Sequence, residues 1–372
     1  MSLLPGFRDA AYRPLLKWPG GKRREWKRLG PLVPNDVRNF IDPFMGGLAP
    51  FALTPFTGHA YLNDRHPELV DLHRRAGAHD PAFFAALDAL AADWDALGAV
   101  AATIESAFVR LVEAARGNGA APEMIADVVR QALDERFSAR FGELLIASLA
   151  DKARRVARLE VRHDTHFDAE ACAVHGETAV RAAYYTLVRE RERREEAAER
   201  TADFLFVRDF CYGSMFRTNA KGEFNIPYGG TSYNAKSFAR RVARLRSDDV
   251  VGALSRATFS CGDFAPFLDG LVHQMEHRDF VFLDPPYDSD FSTYGTNVFD
   301  VGDHERLADT MARLPARWLL VIKETPDVER IYVDGAPSAA GGRVVLRFGK
   351  QYGYNVRGRN ARDVRHVVVA NY

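Results

Sequence analysis

The chain has 372 residues, 47% of them hydrophobic, which excludes wholesale disorder and leaves room for several domains or one domain with a large insertion. Lys+Arg and Asp+Glu stand at 50 each, so net charge does not point to nucleic acid and any basic surface has to be local. Three scattered cysteines (Cys172, Cys211, Cys261) form no CxxC pair, and we find neither a long apolar run nor a signal-peptide pattern; we expect a soluble protein of a reducing cytoplasm.

Leu15–Lys22 opens the ordered reading as a turn-rich segment with a basic residue on each side of Trp18-Pro19-Gly20-Gly21. Two glycines let backbone approach a ligand, and Trp18 offers a stacking surface; a buried Trp in a plain loop is the competing reading. Val37–Asp42 predicts a strand ending on an acid, followed by Pro43-Phe44-Met45-Gly46-Gly47 and a helix from about Pro50. Strand, glycine turn and helix in this order are those of the first βα unit of a nucleotide-type site. His59–Leu62 predicts a short strand ending at Asn63-Asp64, where an acid grips ribose hydroxyls, and Pro67–Arg74 the next helix.

From about Ala78 to Thr201 the pattern is amphipathic and helical, as in Pro81–Leu97, Ile125–Arg140 and Gly142–Leu159. Arg189–Arg200 holds five Arg and five Glu and reads as a solvated, ion-paired helix face. His163, His166, Cys172 and His175 match no compact zinc spacing, so we expect no metal. We read the block as a helical insertion. Phe210–Gly230 then predicts a hairpin, with Phe216 and Phe224 flanking a polar turn at Lys221-Gly222. Its Arg217, Asn219, Lys221 and Asn225 are residue types that reach base edges and phosphates. In Ala235–Arg246, Lys236, Arg240 and Arg244 are spaced to share one helical face, either a phosphate-tracking stripe or a solvated surface.

The remainder returns to α/β. Phe259–Phe264 ends a strand at Asp263, Asp303–Leu314 predicts a helix, Arg317–Lys323 a strand, and Arg343–Phe348 with Val364–Ala370 a β pair. Seven basic residues against one acid between Arg343 and Arg365 make a local basic surface. At the centre stands Phe280–Leu283, a buried strand halted by Pro285-Pro286. Proline lacks an N–H and restricts its predecessor, so Asp284 is held extended at the strand's carboxyl end. Asp284 and the Pro285 carbonyl suit an –NH2 group on a planar ring, and Tyr287 suits the ring face.

Taken together, Lys17–Lys22, Asp42–Gly47, Asn63-Asp64, the Arg217–Gly229 hairpin, Cys261–Phe264, Asp284–Tyr287 and terminal Val369–Tyr372 resemble, in this order, the Dam-like (alpha-class) N6-adenine-specific DNA methyltransferases. The resemblance covers roughly Leu15–Leu72 and Phe204–Tyr372 and implies a Rossmann-like S-adenosylmethionine-dependent methyltransferase fold with a helical insertion and a DNA-contacting hairpin. It implies double-stranded DNA as partner and S-adenosylmethionine as cofactor. Trp18, Gly20, Gly21, Lys22, Asp42, Phe44, Gly46 and Asp64 would surround that cofactor, with Asp263 at its adenine end and Asp284 also in reach. Asp284, Pro285, Pro286 and Tyr287 would receive a flipped-out adenine, and Arg217, Asn219, Lys221, Asn225, Arg240 and Arg244 would touch DNA.

Two departures stand out. Leu48 replaces a usual glycine, so either Gly47 takes over the close approach or cofactor affinity falls. Ile322–Pro326 also lacks the expected Asn/Ser/His-rich character. We expect a catalytic α/β domain in two parts, 1–75 and 250–372, around a target-recognition region at 76–249. Methylation of cytosine or RNA, and a non-catalytic DNA-binding relative, remain open at this stage, as do a cognate restriction endonuclease and the oligomeric state.

Overall fold

A computed structural model describes residues 15–18, 20–117, 119, 121–191, 197–215, 217–219, 223–286, 299–351 and 363–372. They divide into two compact units: Met1–Ala78, Thr218–Glu223 and Ser247–Tyr372 form one, His79–Arg217 and Phe224–Arg246 the other.

The first unit is built on a sheet of seven strands: β1 Phe40–Asp42, β2 Ala60–Asp64, β3 Ala257–Cys261, β4 Phe280–Leu283, β5 Arg317–Lys323, β6 Arg343–Gln351 and β7 Asp363–Ala370. Their order is β3-β2-β1-β4-β5-β7-β6, with β1 to β5 parallel and β7 antiparallel to both neighbours. All four residues of β4 are buried, as a strand covered on both faces requires. Trp318, Leu320, Ile322, Val367 and Val369 join Ile41, Val281 and Leu283 in the apolar core on one face. The chain winds outward from β1 through β2 to β3, then returns to β4 beside β1, in register Phe40↔Phe280 and Ile41↔Val281. That reversal creates a crevice at the carboxyl ends of β1 and β4, where open α/β sheets bind ligands.

The second unit is helical. Pro81–Arg116 is one helix of 36 residues, capped by Asp80, whose side chain accepts from Ala82 and Phe83 N–H groups. Trp94 lies at its core, with its ring 4.1 Å from that of Phe210 and the Arg181 guanidinium 4.6 Å above it. Several expected helices are divided differently. Ile125–Arg140 is not continuous, because Glu123–Ala132 ends at an extended Leu133 and Ser138 caps the next helix, Ala139–His163. The Arg189–Arg200 run spans the end of Ala169–Glu190 and the start of Ala197–Phe210, not one helix face; residues 192–196 lie outside the described residues. Lys236 precedes its helix, Phe238–Leu245, which Ser237 caps, so it shares no helical face with Arg240 and Arg244. Its amine donates to Asp209 O and lies 3.9 Å from the Tyr233 ring centre. His163, His166, Cys172 and His175 do not converge: Cys172 Sγ faces Phe167 O, and His166 lies against Glu160.

Candidate active site

Three acids stand at the carboxyl ends of adjacent parallel strands: Asp42 on β1, Asp64 on β2 and Asp284 just beyond β4. Each is fixed by local chemistry. Asp42 is fully buried and accepts from the Phe44 N–H at 2.9 Å. Burial pushes its carboxyl well above the usual range, and the charges of Asp284 and Asp64 push it further. Asp64 accepts from Gly46 N–H and His66 N–H, each at 3.0 Å, yet burial still raises it. Asn63, also buried, donates to Pro43 O and Gly262 O and so ties the loops after β1 and β3 together.

Asp284 is 18% exposed, and its Oδ2 lies 2.5 Å from the amine of Lys22, which is 1% exposed. The N-terminal turn accounts for this pairing. The Lys22 carbonyl accepts from the N–H groups of Glu25 and Trp26, and Trp26 packs on Phe282 of β4, at 5.8 Å between ring centres. The turn is thereby seated on the strand that carries Asp284. Gly20 sits at φ +79° with open space around it, a conformation that favours glycine. A Cβ on Gly47 would lie 3.3 Å from Leu16 O and from Trp18 Cβ, so Gly47 makes the close approach between this turn and the β1 loop. Trp18 is half-buried and meets His66 edge-on at 5.0 Å. Phe44 packs on Phe264 and Phe299.

Leu48 occupies a left-handed backbone, φ 63° and ψ 18°, which explains why glycine suits this position. Its side chain is 1% exposed and lies within the core. Asp263 has partners within the chain. It caps Phe264–Leu271 through Ala265 N–H, and Arg306 grips both carboxylate oxygens at 2.9 Å, holding the carboxyl below its usual range. A carboxylate so engaged serves the loop's structure first. In the Ile322–Pro326 segment, Glu324 binds Arg347 and Arg365, while Thr325 caps the short helix after β5.

Sequence reasoning singled out Lys22 as a cofactor neighbour and missed its pairing with Asp284, which depends on the docking of Trp26. Pro285 is buried and Pro286 exposed; Tyr287 lies outside the described residues. Of the expected DNA contacts, Lys221 also lies outside them. Arg217 Nε donates to Asn225 Oδ1 at 2.9 Å. The Asn219 amide is used at both ends on Glu223. Arg240 is exposed and Arg244 half-buried.

A doubly wound sheet with acids at the strand ends of its switch point has the crevice in which open α/β folds bind ligands. The chain belongs to the D12 class of N6 adenine-specific DNA methyltransferases, which it matches over residues 18–91 and 151–341. It is 22% identical over 369 residues to the Type II methyltransferase M.CviBI of Paramecium bursaria Chlorella virus NC1A, covering 97% of this chain and 100% of the relative. Type II methyltransferase M.MjaIII of Methanocaldococcus jannaschii is 34% identical over 127 residues, 33% of this chain and 41% of that protein. A DNA adenine methylase of Vibrio cholerae is 28% identical over 120 residues, 31% and 40% of the two chains. Among the described residues, no helix is long and apolar enough to cross a membrane.

Proposed function

We propose that this methyltransferase uses S-adenosylmethionine to methylate the exocyclic amine of an adenine flipped out of duplex DNA, at Asp284. The Asp284 carboxylate carries this reading: it stands at the crevice, anchored on one oxygen by Lys22. The Asp284 carboxylate and the Pro285 carbonyl would accept from the two N–H groups of the target amine. An adenine amine is a poor nucleophile because its lone pair is delocalised into the ring, and two such bonds favour a pyramidal nitrogen with that pair directed outward. Asp284 would also stabilise the positive charge that develops on nitrogen. Tyr287, by its place in the Asp-Pro-Pro-Tyr motif, would stack on the extruded base.

The residues present fit the cofactor. Asp42 and Asp64 are buried acids pushed up by desolvation, and Asp42 also by the negative charges of Asp284 and Asp64, so the crevice favours a cation. Gly20 with open space around it, and Gly46 at φ +47° beside Trp18, leave backbone accessible there. Asp64 would hold the ribose, with Trp18, Gly21, Phe44 and Gly46 around the remainder. When bound, the cofactor supplies a sulfonium-activated methyl; the chain's task is to align the amine with it and to exclude water. Asp263, gripped by Arg306, is a weaker partner than its position in sequence implies. The helical unit and the Arg217–Asn225 segment would bear target recognition. The test is incubation with labelled cofactor and mixed DNA, then nucleoside analysis: N6-methyladenine is expected, and methylcytosine alone would refute the reading.

A further inference from the structure

Asn63 is the next-to-last residue of β2, one step before the acid proposed to hold the ribose, and it is closed off at 1% exposure. Its side-chain amide carries two N–H groups, and both are spent on backbone. One donates to Pro43 O at 3.1 Å, in the loop after β1, and the other to Gly262 O at 3.0 Å, in the loop after β3. The main chain repeats the pattern. Asn63 O accepts from the Met45 N–H at 2.9 Å, and Asp64 O accepts from the Gly262 N–H at 3.1 Å. The Asp64 carboxylate takes the Gly46 N–H at 3.0 Å. Two consecutive residues of β2 thus hold the loops on both sides of them.

The choice of asparagine here needs a reason. Burying an amide is costly unless its N–H groups are satisfied, whereas a leucine of similar size is buried at no such cost. What the amide supplies is a fixed separation between two loops that no strand ladder joins, since β1 and β3 lie on opposite sides of β2. Those loops are the walls beside Asp64. The first carries Phe44 and Gly46, the second leads into Phe264, and Phe44 meets Phe264 at 5.6 Å between ring centres.

We propose that Asn63 is a positioning residue for the nucleoside half of the cofactor: without touching it, the amide sets the spacing of the two loops between which ribose and base are held. This rests on the proposed role of Asp64. Groups that bind a ligand work only while their supporting hydrogen bonds keep them in place, so Asn63→Leu, which removes both donors, should raise the calorimetric dissociation constant of S-adenosylmethionine about tenfold or more. Adenosine, measured by competition, should lose affinity by the same factor within about threefold, because it contains the half affected. Affinity for duplex DNA without cofactor should stay within about threefold of wild type.

Asn63→Leu also leaves two carbonyls without their donor, so it should melt below wild type, and binding is read at a temperature where it is folded. Asn63→Thr suits a strand and keeps one donor; it should weaken the cofactor less than Asn63→Leu but measurably. A merely structural role predicts lowered melting temperatures with unchanged cofactor affinity in both folded variants, and that result overturns the proposal. So does an unchanged affinity for adenosine, or an equal loss for DNA and cofactor. Failure of the wild-type protein to bind S-adenosylmethionine is a different result, which overturns the cofactor reading itself.

Discussion

Leu48 offers a test in which two opposing effects can be weighed. Its left-handed backbone disfavours any residue with a Cβ, at about 1–2 kcal/mol relative to glycine. Against this, the side chain is 1% exposed, and truncating a buried leucine to alanine costs about 2–5 kcal/mol. Burial exceeds strain, so both Leu48→Gly and Leu48→Ala should unfold below wild type. Their order is the sharper prediction. Both lose the side chain, but only glycine relieves the strain, so Leu48→Gly should be at least as stable as Leu48→Ala. At an ordinary helical position glycine is the worse by roughly 0.5–1 kcal/mol. Thermal unfolding resolves this, since 1 kcal/mol is about 2–4 °C in a domain of this size. An alanine variant clearly more stable than the glycine variant would refute the strain argument. Because Gly47, rather than residue 48, makes the close approach to Trp18, calorimetry of Leu48→Gly should give a cofactor affinity within about threefold of wild type, under 1 kcal/mol.

Three further outcomes follow from the charges. Glu25, at about 2 when folded against a usual 4.5, contributes stability that is complete above 4.5 and lost as pH falls toward 2; Glu25→Gln should show a flatter acid limb in pH-dependent unfolding. Asp42 is raised instead, so its cost is absent below its usual 3.8 and grows as pH rises; Asp42→Asn should raise the melting temperature at neutral pH, lose that advantage in acid, and weaken cofactor binding. Arg217→Ala should blur sequence preference by about 1–3 kcal/mol per lost base contact, whereas Arg240→Ala with Arg244→Ala should weaken all DNA alike and flatten its salt dependence, as competition binding would measure.

The parallel strands were readable because their signals are local. Phe280–Leu283 is apolar throughout and ends at two prolines, and Arg317–Lys323 falls at the same bounds in sequence and structure. The acids at strand ends followed from the same logic. Interruptions of the helical block were not readable, since Leu133–Ser138 carries no proline or glycine to mark the break between amphipathic segments. Partnerships distant in sequence were also hidden: Lys22 with Asp284, Asp263 with Arg306, and Glu324 with Arg347 join residues that no periodicity relates. The altered Glu324 segment makes sense only with its arginines in view. Leu48 was visible as a departure, but its conformation was not.

The most direct measurement is the single-turnover rate of Asp284→Ala on a duplex containing the target adenine, alongside its affinity for that duplex. The substitution removes the acceptor and keeps the two prolines, but it takes the carboxylate from buried Lys22, so the variant should melt below wild type and the rate is read at a temperature where it is folded and binds DNA. Loss of one preorganised charge-stabilising contact costs about a hundredfold to a thousandfold, and the rate should fall by at least that much. Near-normal methyl transfer to adenine by Asp284→Ala would contradict the account.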